Sequence, residues 1–178
     1  LAQTNLRRML AYASLSHVGL VVLGIASFDL QGIQGSVLQL LNFTLAAGGG
    51  FLLIGALHHR IGSTDLLSLG GAARSMPLLA SFFLLFGLAG MGLPGTSGFP
   101  AELLILLSIF KHHIGAGLAA LFAMVLGAAY FFSLYRQAFF GPANNPVVAD
   151  AMDLLDIAEE ETQRLTRWIA NILDMVRI

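Results

Sequence analysis

The sequence contains no cysteine and little charge. The absence of cysteine from all 178 residues excludes a disulfide scaffold, a cysteine-ligated zinc site, an iron–sulfur cluster and a thiol nucleophile. Charged residues make up 11% of the chain, whereas an ordinary soluble domain has about a quarter. Apolar residues make up 57%, and the mean hydropathy is +0.81. This composition indicates an integral membrane protein.

Several chemical motifs are also missing. The sequence has no phosphate-binding Walker loop, no dinucleotide-binding fingerprint after a strand and no Ser-His-Asp candidate in a supporting context. Nucleic-acid binding is not expected without a basic patch. No signal peptide precedes the first apolar stretch. Because the chain opens with Leu1 rather than Met, we expect that the N-terminal part of a longer protein is missing, or that the sequence was trimmed.

Four long apolar stretches indicate membrane crossings. A hydrocarbon core of ~30 Å requires ~20 apolar residues in a helix. The stretches run over residues 9–28, 33–57, 77–110 and 114–139. The predicted fold class is therefore all-α: a polytopic membrane helix bundle with about four crossings, the third discontinuous, plus a C-terminal amphipathic helix.

The third stretch is interrupted near its middle. Two prolines and two glycines within eight residues cannot continue a regular helix. They are Pro94, Gly95, Gly98 and Pro100. The two halves, 77–92 and 100–110, are each short for a crossing, so the pattern predicts one discontinuous crossing, of the kind that recurs at ion sites in transporters. The alternative is a tight turn outside the membrane between two short helices.

The basic residues are consistent with two topologies. With one broken crossing, five arginines share one side of the membrane and Lys111 lies opposite; the positive-inside rule then places the arginines in the cytoplasm. With two crossings, Lys111 joins the first four arginines and Arg136 moves to the other side. The arginines are Arg7, Arg8, Arg60, Arg74 and Arg136. Segment length favours the broken crossing.

Glu102 is the main candidate for a functional side chain. It is the only glutamate before residue 159, and it follows the helix break directly. A carboxylate inside a membrane is energetically expensive and is by default a functional-site hypothesis. Because desolvation favours the neutral acid, a nearby cation or water could switch its charge, as a proton relay requires. A structural role, in which Glu102 only caps the second half-helix, is the alternative.

His17 is the second candidate. It lies about two turns into the first crossing, near Ser14 and Ser16, and an imidazole can shuttle protons near neutral pH. The competing interpretation is a hydrogen-bonded packing residue. The pairs His58-His59 and His112-His113 flank crossings, and adjacent helical residues point to different faces, so we predict no metal site.

Two motifs resemble a known family. Residues 4–19, Thr-Asn-Leu-Arg-Arg-Met-Leu-Ala-Tyr-Ala-Ser-Leu-Ser-His-Val-Gly, are similar to a segment of the antiporter-like, proton-pumping subunits of respiratory NADH:quinone oxidoreductase (complex I). Residues 92–102, Gly-Leu-Pro-Gly-Thr-Ser-Gly-Phe-Pro-Ala-Glu, resemble the broken helix near the end of the same subunits. The likeness covers about residues 1–154 and fits the C-terminal part of such a subunit. Glu102 stands where chain M, the mitochondrial ND4 type, carries glutamate.

The resemblance implies a set of roles. Glu102 would serve the terminal part of a proton path, and His17 its central polar axis. NADH, flavin, iron–sulfur clusters and quinone would be bound by partner subunits, with no cofactor in this chain. The partners would be the other membrane subunits of complex I and the lipid bilayer, and the location would be the bacterial inner (plasma) membrane. As a non-redox subunit, the isolated chain is expected to be inactive.

The sequence departs from the family at two points. The family often has a histidine at the position of Phe43, so the route would need water or another residue such as Asn42 or Thr44. The preceding half of the inverted-repeat fold, with its glutamate–lysine pair, is also missing. We therefore describe residues 1–142 as a partial proton-translocation domain that does not complete a channel by itself.

The tail differs from the rest of the chain. After a linker over 143–154, residues 155–178 place apolar side chains at three-to-four-residue spacing, which predicts one amphipathic helix. The stripe comprises Leu165, Trp168 or Ile169, Ile172, and Met175 or Val176. The segment is similar to the second helix of a sensor histidine kinase dimerisation domain. A helix that lies on the membrane or pairs with another helix, and a junction between unrelated genes, are the alternatives.

Three functions are compatible with these features. The leading hypothesis is a fragment of a membrane subunit of a proton-translocating NADH:quinone oxidoreductase. The second is a sodium/proton antiporter subunit with the same fold. The third is a truncated four-crossing sensor histidine kinase, which accounts for the tail and gives no reason for Glu102 beside a Pro/Gly break.

Overall fold

The protein is helical throughout the part of the chain that the structure describes. The computed structural model describes the backbone of residues 3–142 and 146–176; the side chains at 67, 146–148, 151, 168, 169 and 171–176 are outside the description. The helices are α1 (Leu6–Ala26), α2 (Leu30–Ile61), α3 (Leu66–Leu69), α4 (Ala72–Ser75), α5 (Pro77–Gly90), α6 (Gly98–His112), α7 (Ile114–Phe140) and α8 (Pro146–Val176). The predicted all-α class is confirmed.

Helix α2 is the element around which α1, α5 and α6 pack. Its buried face carries small and polar residues at three-to-four-residue spacing: Gly32, Gly35, Ser36, Gln39, Asn42, Ala46 and Gly50. Small side chains let membrane helices approach closely, and polar ones can hydrogen-bond between helices. The site residues lie along this face.

Helices α5 and α6 follow one another along α2 in the opposite direction. Residues of α6 lie against the first part of α2: Ser108 is next to Gly32, and Leu104 and Ile105 are next to Gly35. Phe86 of α5 lies next to Gly49, farther along α2. Asn42, between them, bonds to Ala89 and Ser97. The two half-helices thus span the length of one partner helix. This arrangement supports one discontinuous crossing over a turn outside the membrane.

The break occupies residues 91–97, so it begins and ends slightly before the eight-residue motif of prolines and glycines at 93–100. Gly92 and Gly95 have φ of +61° and +96°, in the region that favours glycine. Pro94 and Gly95 lie in the break, whereas Gly98 and Pro100 lie in the first turn of α6. Proline is tolerated there because the first helical N–H groups have no intrahelical partner.

The two ends of the bundle carry different charges. At one end, Lys111 lies 3.5 Å from the Asp29 carboxylate, in the α1–α2 connection, and donates to Gln31. At the other end, Asn5 donates to Thr64 and Asp65, so the start of α1 meets the end of α2. Lys111 therefore lies opposite the Arg7–Arg8 end, which supports the topology with one broken crossing over the one with two.

Most of the bundle surface is apolar. A buried cluster near the arginine end joins α1, α2, α5 and α7 through Leu6, Ile54, Leu57, Phe83 and Phe139, among others. Large apolar side chains outside it are exposed, including Leu45, Leu52 and Phe122. Helices α1, α2 and α7 are long and apolar enough to cross a membrane, and α5 is a shorter apolar helix. Such a surface suits lipid rather than water.

Helix α8 begins earlier than the tail helix expected from the sequence. It starts at Pro146, so most of the 143–154 segment assigned to a linker is helical. Met152 packs against the core cluster, and Asp156 pairs with Arg74 of α4. Leu165 is exposed. The other side chains of the expected stripe, at 168, 169, 172, 175 and 176, are outside the described residues, so the amphipathic stripe and the kinase-like dimerisation role stay predictions.

Candidate proton-transfer site

Glu102 is buried in the interior of the helix bundle. Its exposed fraction is 3%, and it lies on the second turn of α6, just after the break. Helix α6 presents this side chain to α2, where Gln39 contacts it. An isolated buried carboxylate is unfavourable unless partners or a bound proton compensate for the lost hydration. The immediate surroundings of this carboxyl therefore determine what it can do.

Gln39 of α2 connects Glu102 with His17 of α1. The amide Nε2 of Gln39 donates to Glu102 Oε1 at 3.2 Å and lies 3.0 Å from His17 Nδ1. Gln39 itself is completely buried. The direct distance from His17 Nδ1 to Glu102 Oε1 is 4.0 Å, which exceeds a hydrogen bond. Both sequence-predicted proton-pathway residues are thus in one site, joined by a third residue.

Two oxygens of this site have no hydrogen-bond partner among the described residues. They are Glu102 Oε2 and Gln39 Oε1. Buried polar atoms are almost always paired with protein or water, and exceptions concentrate where function requires them. A carboxyl oxygen of this kind can be satisfied by binding a proton, which removes the charge and supplies a donor. The site can therefore hold Glu102 in either protonation state.

The backbone of the break packs directly against the Glu102 carboxyl. A Cβ added at Gly92 would overlap Oε2 and the carboxyl carbon, so only glycine fits while the carboxyl keeps this position. Asn42 fixes the break to α2 from the other side. Its amide donates to the Ala89 carbonyl at 3.2 Å and accepts from the Ser97 hydroxyl at 2.5 Å. The backbone of the break is thus held in place by specific contacts and forms one wall of the site.

Phe43 contributes an aromatic ring to the site, which cannot carry a proton. Its ring stacks on that of His17, with 4.2 Å between centroids. Of the two substitutes proposed from the sequence, Asn42 lies beside the break, whereas Thr44 is exposed and donates to the Leu40 carbonyl of its own helix. Thr44 is therefore not brought to the site. The position of Gln39 makes it the better candidate for the connecting group.

A cavity opens beside the site. Its volume is about 610 Å³, and its walls come mainly from α1, α2, α5 and α7. The lining is largely apolar, with His17, Glu102, Ser16 and Tyr130 among the polar side chains that reach it. His17 is partly exposed to this space, at 19% of its side-chain area. The cavity gives both titratable groups access to a small volume inside the bundle.

Three serine hydroxyls lie between Glu102 and the Lys111 end. Ser108 of α6 donates to Ser27 of α1 at 2.7 Å, and Ser36 of α2 donates to the Val21 and Gly32 carbonyls. Ser36 stands one helical turn before Gln39. We refer to Ser27, Ser36 and Ser108 as the hydroxyl cluster. Hydroxyls both donate and accept, so these side chains are polar groups placed along the direction from the site toward Asp29 and Lys111.

The remaining candidates do not join the site. His58, His59, His112 and His113 are exposed around helix ends, as expected for interfacial residues. Within residues 3–142 and 146–176, no group of three metal-ligating side chains comes together. Gln39 was not found from the sequence, although its signal is present. It is a buried amide on the small-and-polar stripe of α2, and that spacing alone would have placed it on the buried face of the helix.

Comparison with known proteins identifies the family to which the chain belongs. Residues 1–127 match the family described as NADH:quinone oxidoreductase/Mrp antiporter, TM. The chain is 38% identical over 154 residues to NADH-quinone oxidoreductase subunit M of Rickettsia typhi, which covers 86% of this chain and 31% of that protein. It is 41% identical over 141 residues to NADH-ubiquinone oxidoreductase chain 4 of Chondrus crispus, covering 79% and 29%.

A solved structure shows the same fold. The chain resembles part of respiratory complex I from Thermus thermophilus with bound NADH, with a TM-score of 0.77 and 32% identity. The match covers 88% of this chain and 35% of that one. The chain therefore spans about a third of the length of the proteins it matches. The resemblance to antiporter-like subunits, and to chain M among them, is confirmed: the chain is an integral membrane protein of the NADH:quinone oxidoreductase/Mrp antiporter family.

Proposed function

We propose that this chain forms part of the membrane subunit M of a proton-translocating NADH:quinone oxidoreductase and supplies a proton-transfer site centred on Glu102. The observation that carries the proposal is a fully enclosed carboxyl beside a helix break, with one oxygen bonded to Gln39 and the other in contact with Gly92. The names of the similar proteins support the oxidoreductase assignment. Electron transfer, with its cofactors, then belongs to partner subunits.

The proposed chemistry is reversible protonation without any covalent intermediate. Glu102 takes up a proton, which neutralises a charge that is costly at membrane depth, and releases it when its surroundings again favour the anion. His17, across Gln39, is the second group that can hold a proton. The hydroxyl cluster is the proposed route toward the Lys111 end, and the cavity that His17 and Glu102 both line is the proposed second route.

Substitution Glu102→Gln in the full-length subunit tests the proposal. Glutamine keeps the size and one oxygen of the side chain but cannot release a proton. Because a positioned proton-transfer group accelerates its step by roughly 10²–10⁴-fold, we expect pumping by the assembled complex to fall by about 10²-fold or more. The measurements are the rate of proton translocation and the rate of NADH oxidation in sealed membrane vesicles.

Glu160→Gln is the matched control, since Glu160 is exposed on α8 and carries the same chemical change. Glu102→Asp retains the acid and should preserve part of the pumping. Unchanged NADH oxidation together with an unchanged proton-to-electron ratio in Glu102→Gln, with the complex fully assembled, contradicts the proposal.

A sodium/proton antiporter subunit is the second candidate, because the matched family includes the Mrp antiporters. A strain that lacks the full-length gene distinguishes the two functions. Loss of NADH-driven proton pumping with normal growth at high sodium supports the oxidoreductase. Normal NADH oxidation with impaired growth at high sodium supports the antiporter.

A further inference from the structure

Gln39 uses one atom to contact two proton-binding groups. Its Nε2 lies 3.0 Å from His17 Nδ1 and 3.2 Å from Glu102 Oε1, while its Oε1 has no partner among the described residues. An amide nitrogen carries two N–H donors and accepts nothing. In this arrangement, therefore, both facing atoms accept: Glu102 Oε1 carries no proton, and His17 Nδ1 presents its lone pair.

A proton on Glu102 Oε2, which Gln39 does not contact, leaves this orientation unchanged, whereas a proton on Oε1, the oxygen that faces His17, is incompatible with it. The protonated oxygen becomes a donor and would face the N–H donors of Gln39. A turn of the amide about its last side-chain bond removes the conflict, because the Gln39 oxygen then accepts from Glu102. His17 Nδ1 and Glu102 Oε1 are 4.0 Å apart. One amide can lie between them with its oxygen toward the acid and its nitrogen toward the imidazole.

The same amide occupies both groups. While its N–H donors bond to His17 Nδ1 and Glu102 Oε1, the lone pair with which His17 would accept a proton is engaged, and the 4.0 Å between the two atoms is longer than a hydrogen bond. Direct exchange requires the amide to release both atoms and the two groups to approach each other. The O–H bond of Glu102 then breaks, an N–H bond forms at His17 Nδ1, and the products are a carboxylate and an imidazolium.

We propose that Gln39 is a positioning residue that acts as a two-position gate, whose amide turns with the protonation of Glu102 Oε1 and controls proton exchange with His17. This inference rests on the proposed proton-transfer function of Glu102. The titratable groups that face Gln39 are His17 on α1 and Glu102 on α6, and Tyr130 of α7 lines the same cavity.

The experiment compares Gln39→Met with Gln34→Met in the full-length subunit within the assembled complex. Methionine keeps an unbranched side chain of similar length and removes both hydrogen bonds. Gln34 is exposed on the same helix, so its replacement is the matched control. We expect Gln39→Met to lower the pumping rate about 10-fold or more, as the loss of a positioned proton-transfer arrangement implies, and to shift its pH profile. Gln34→Met should change neither.

Gln39→Glu is the second variant and keeps the size of the side chain. A carboxyl at this position accepts and releases protons itself, so the gate is bypassed and the pH profile of pumping should change while the complex still assembles. Infrared difference spectra of the native complex during turnover should contain a side-chain amide band that both Gln39 variants lack.

The outcomes separate this inference from the proposed function. Loss of pumping in Glu102→Gln together with native pumping and a native pH profile in the Gln39 variants overturns the gate and leaves the function standing. Native pumping in Glu102→Gln overturns the function. A lowered thermal stability of Gln39→Met with native pumping per assembled complex assigns Gln39 a structural role only, and also overturns the gate.

Discussion

Gly92 and Glu102 depend on each other at the level of single residues. The carboxyl can approach the break so closely only because residue 92 has no Cβ, and φ of +61° at Gly92 independently favours glycine. The carboxyl is the flexible partner in this contact. A larger residue at position 92 should therefore displace the carboxyl from Gln39 rather than distort the backbone.

Substitution Gly92→Ala should reduce proton pumping, and the loss of stability alone should not account for the reduction. The left-handed conformation costs a non-glycine residue roughly 1–2 kcal/mol, and the new methyl group also moves the Glu102 carboxyl. Gly95→Ala is the control, because φ at Gly95 is +96° and nothing lies within 4 Å of the added Cβ. We expect both variants to lower the apparent Tm of the complex, but only Gly92→Ala to lower pumping. Equal pumping in the two variants would argue against the contact.

Single residues differ in how far the sequence reveals them. Glu102 and His17 are identifiable because titratable side chains are rare in apolar stretches and expensive there. Gln39 is a neutral amide, which the same reasoning overlooks. Its contacts reach 22 and 63 residues along the chain, and no periodicity measures such distances. The pairing of Asn42 with Ser97 was hidden for the same reason.

At the scale of a whole element, helix α2 depends on small residues to pack closely against α6. Its stripe of small residues sets the distance to α6, and Gly35 meets the backbone of that helix directly. A Cβ there would lie 2.9 Å from the Ala101 carbonyl oxygen and from atoms of Leu104 and Ile105. Two of these neighbours are backbone or Cβ atoms, which cannot move aside without moving the helix.

Gly35→Ala and Gly48→Ala should therefore have opposite effects on stability. Overpacking costs typically 1–3 kcal/mol, so the apparent Tm of Gly35→Ala should fall. At Gly48 nothing lies within 4 Å of an added Cβ, and replacing a helical glycine with alanine gains roughly 0.5–1 kcal/mol. Thermal unfolding of the detergent-solubilised complex is the measurement. A lower Tm for Gly48→Ala than for Gly35→Ala would contradict the packing.

Elements were predicted well where local chemistry determines them. The four apolar stretches correspond to α1, α2, the α5–α6 pair and α7, and the break follows from Pro94 and Gly95. The start of α6 was placed two residues late, because Gly98 and Pro100 are acceptable in a first helical turn. Helix α8 was expected to begin near residue 155, since the prolines and asparagines before it suggested a linker.

At the scale of the whole molecule, the helix bundle has two ends with different basic residues. Arg7 and Arg8 lie at one end, and Lys111 lies at the other. The contact between Lys111 and Asp29 supports the topology that charge counting alone left open. The rule that basic residues favour the cytoplasm then places the start of α1 and the end of α2 inside the cell.

Single cysteines test this orientation, and the native chain, which has none, gives a clean background for its own positions. Ser63→Cys, between α2 and α3, should react with a membrane-impermeant maleimide from the cytoplasmic face. His113→Cys, between α6 and α7, should react only from the opposite face. Other reactive cysteines of the complex are replaced first. Labelling of both positions from the same face would favour two separate crossings.

The central claim is that Glu102 binds and releases a proton during turnover, and infrared difference spectroscopy of the assembled complex measures it most directly. The native complex should show a protonated-carboxyl band that changes when NADH is added, and Glu160→Gln should retain this band. Glu102→Gln should lose it together with proton pumping. A band that persists unchanged in Glu102→Gln would contradict the account.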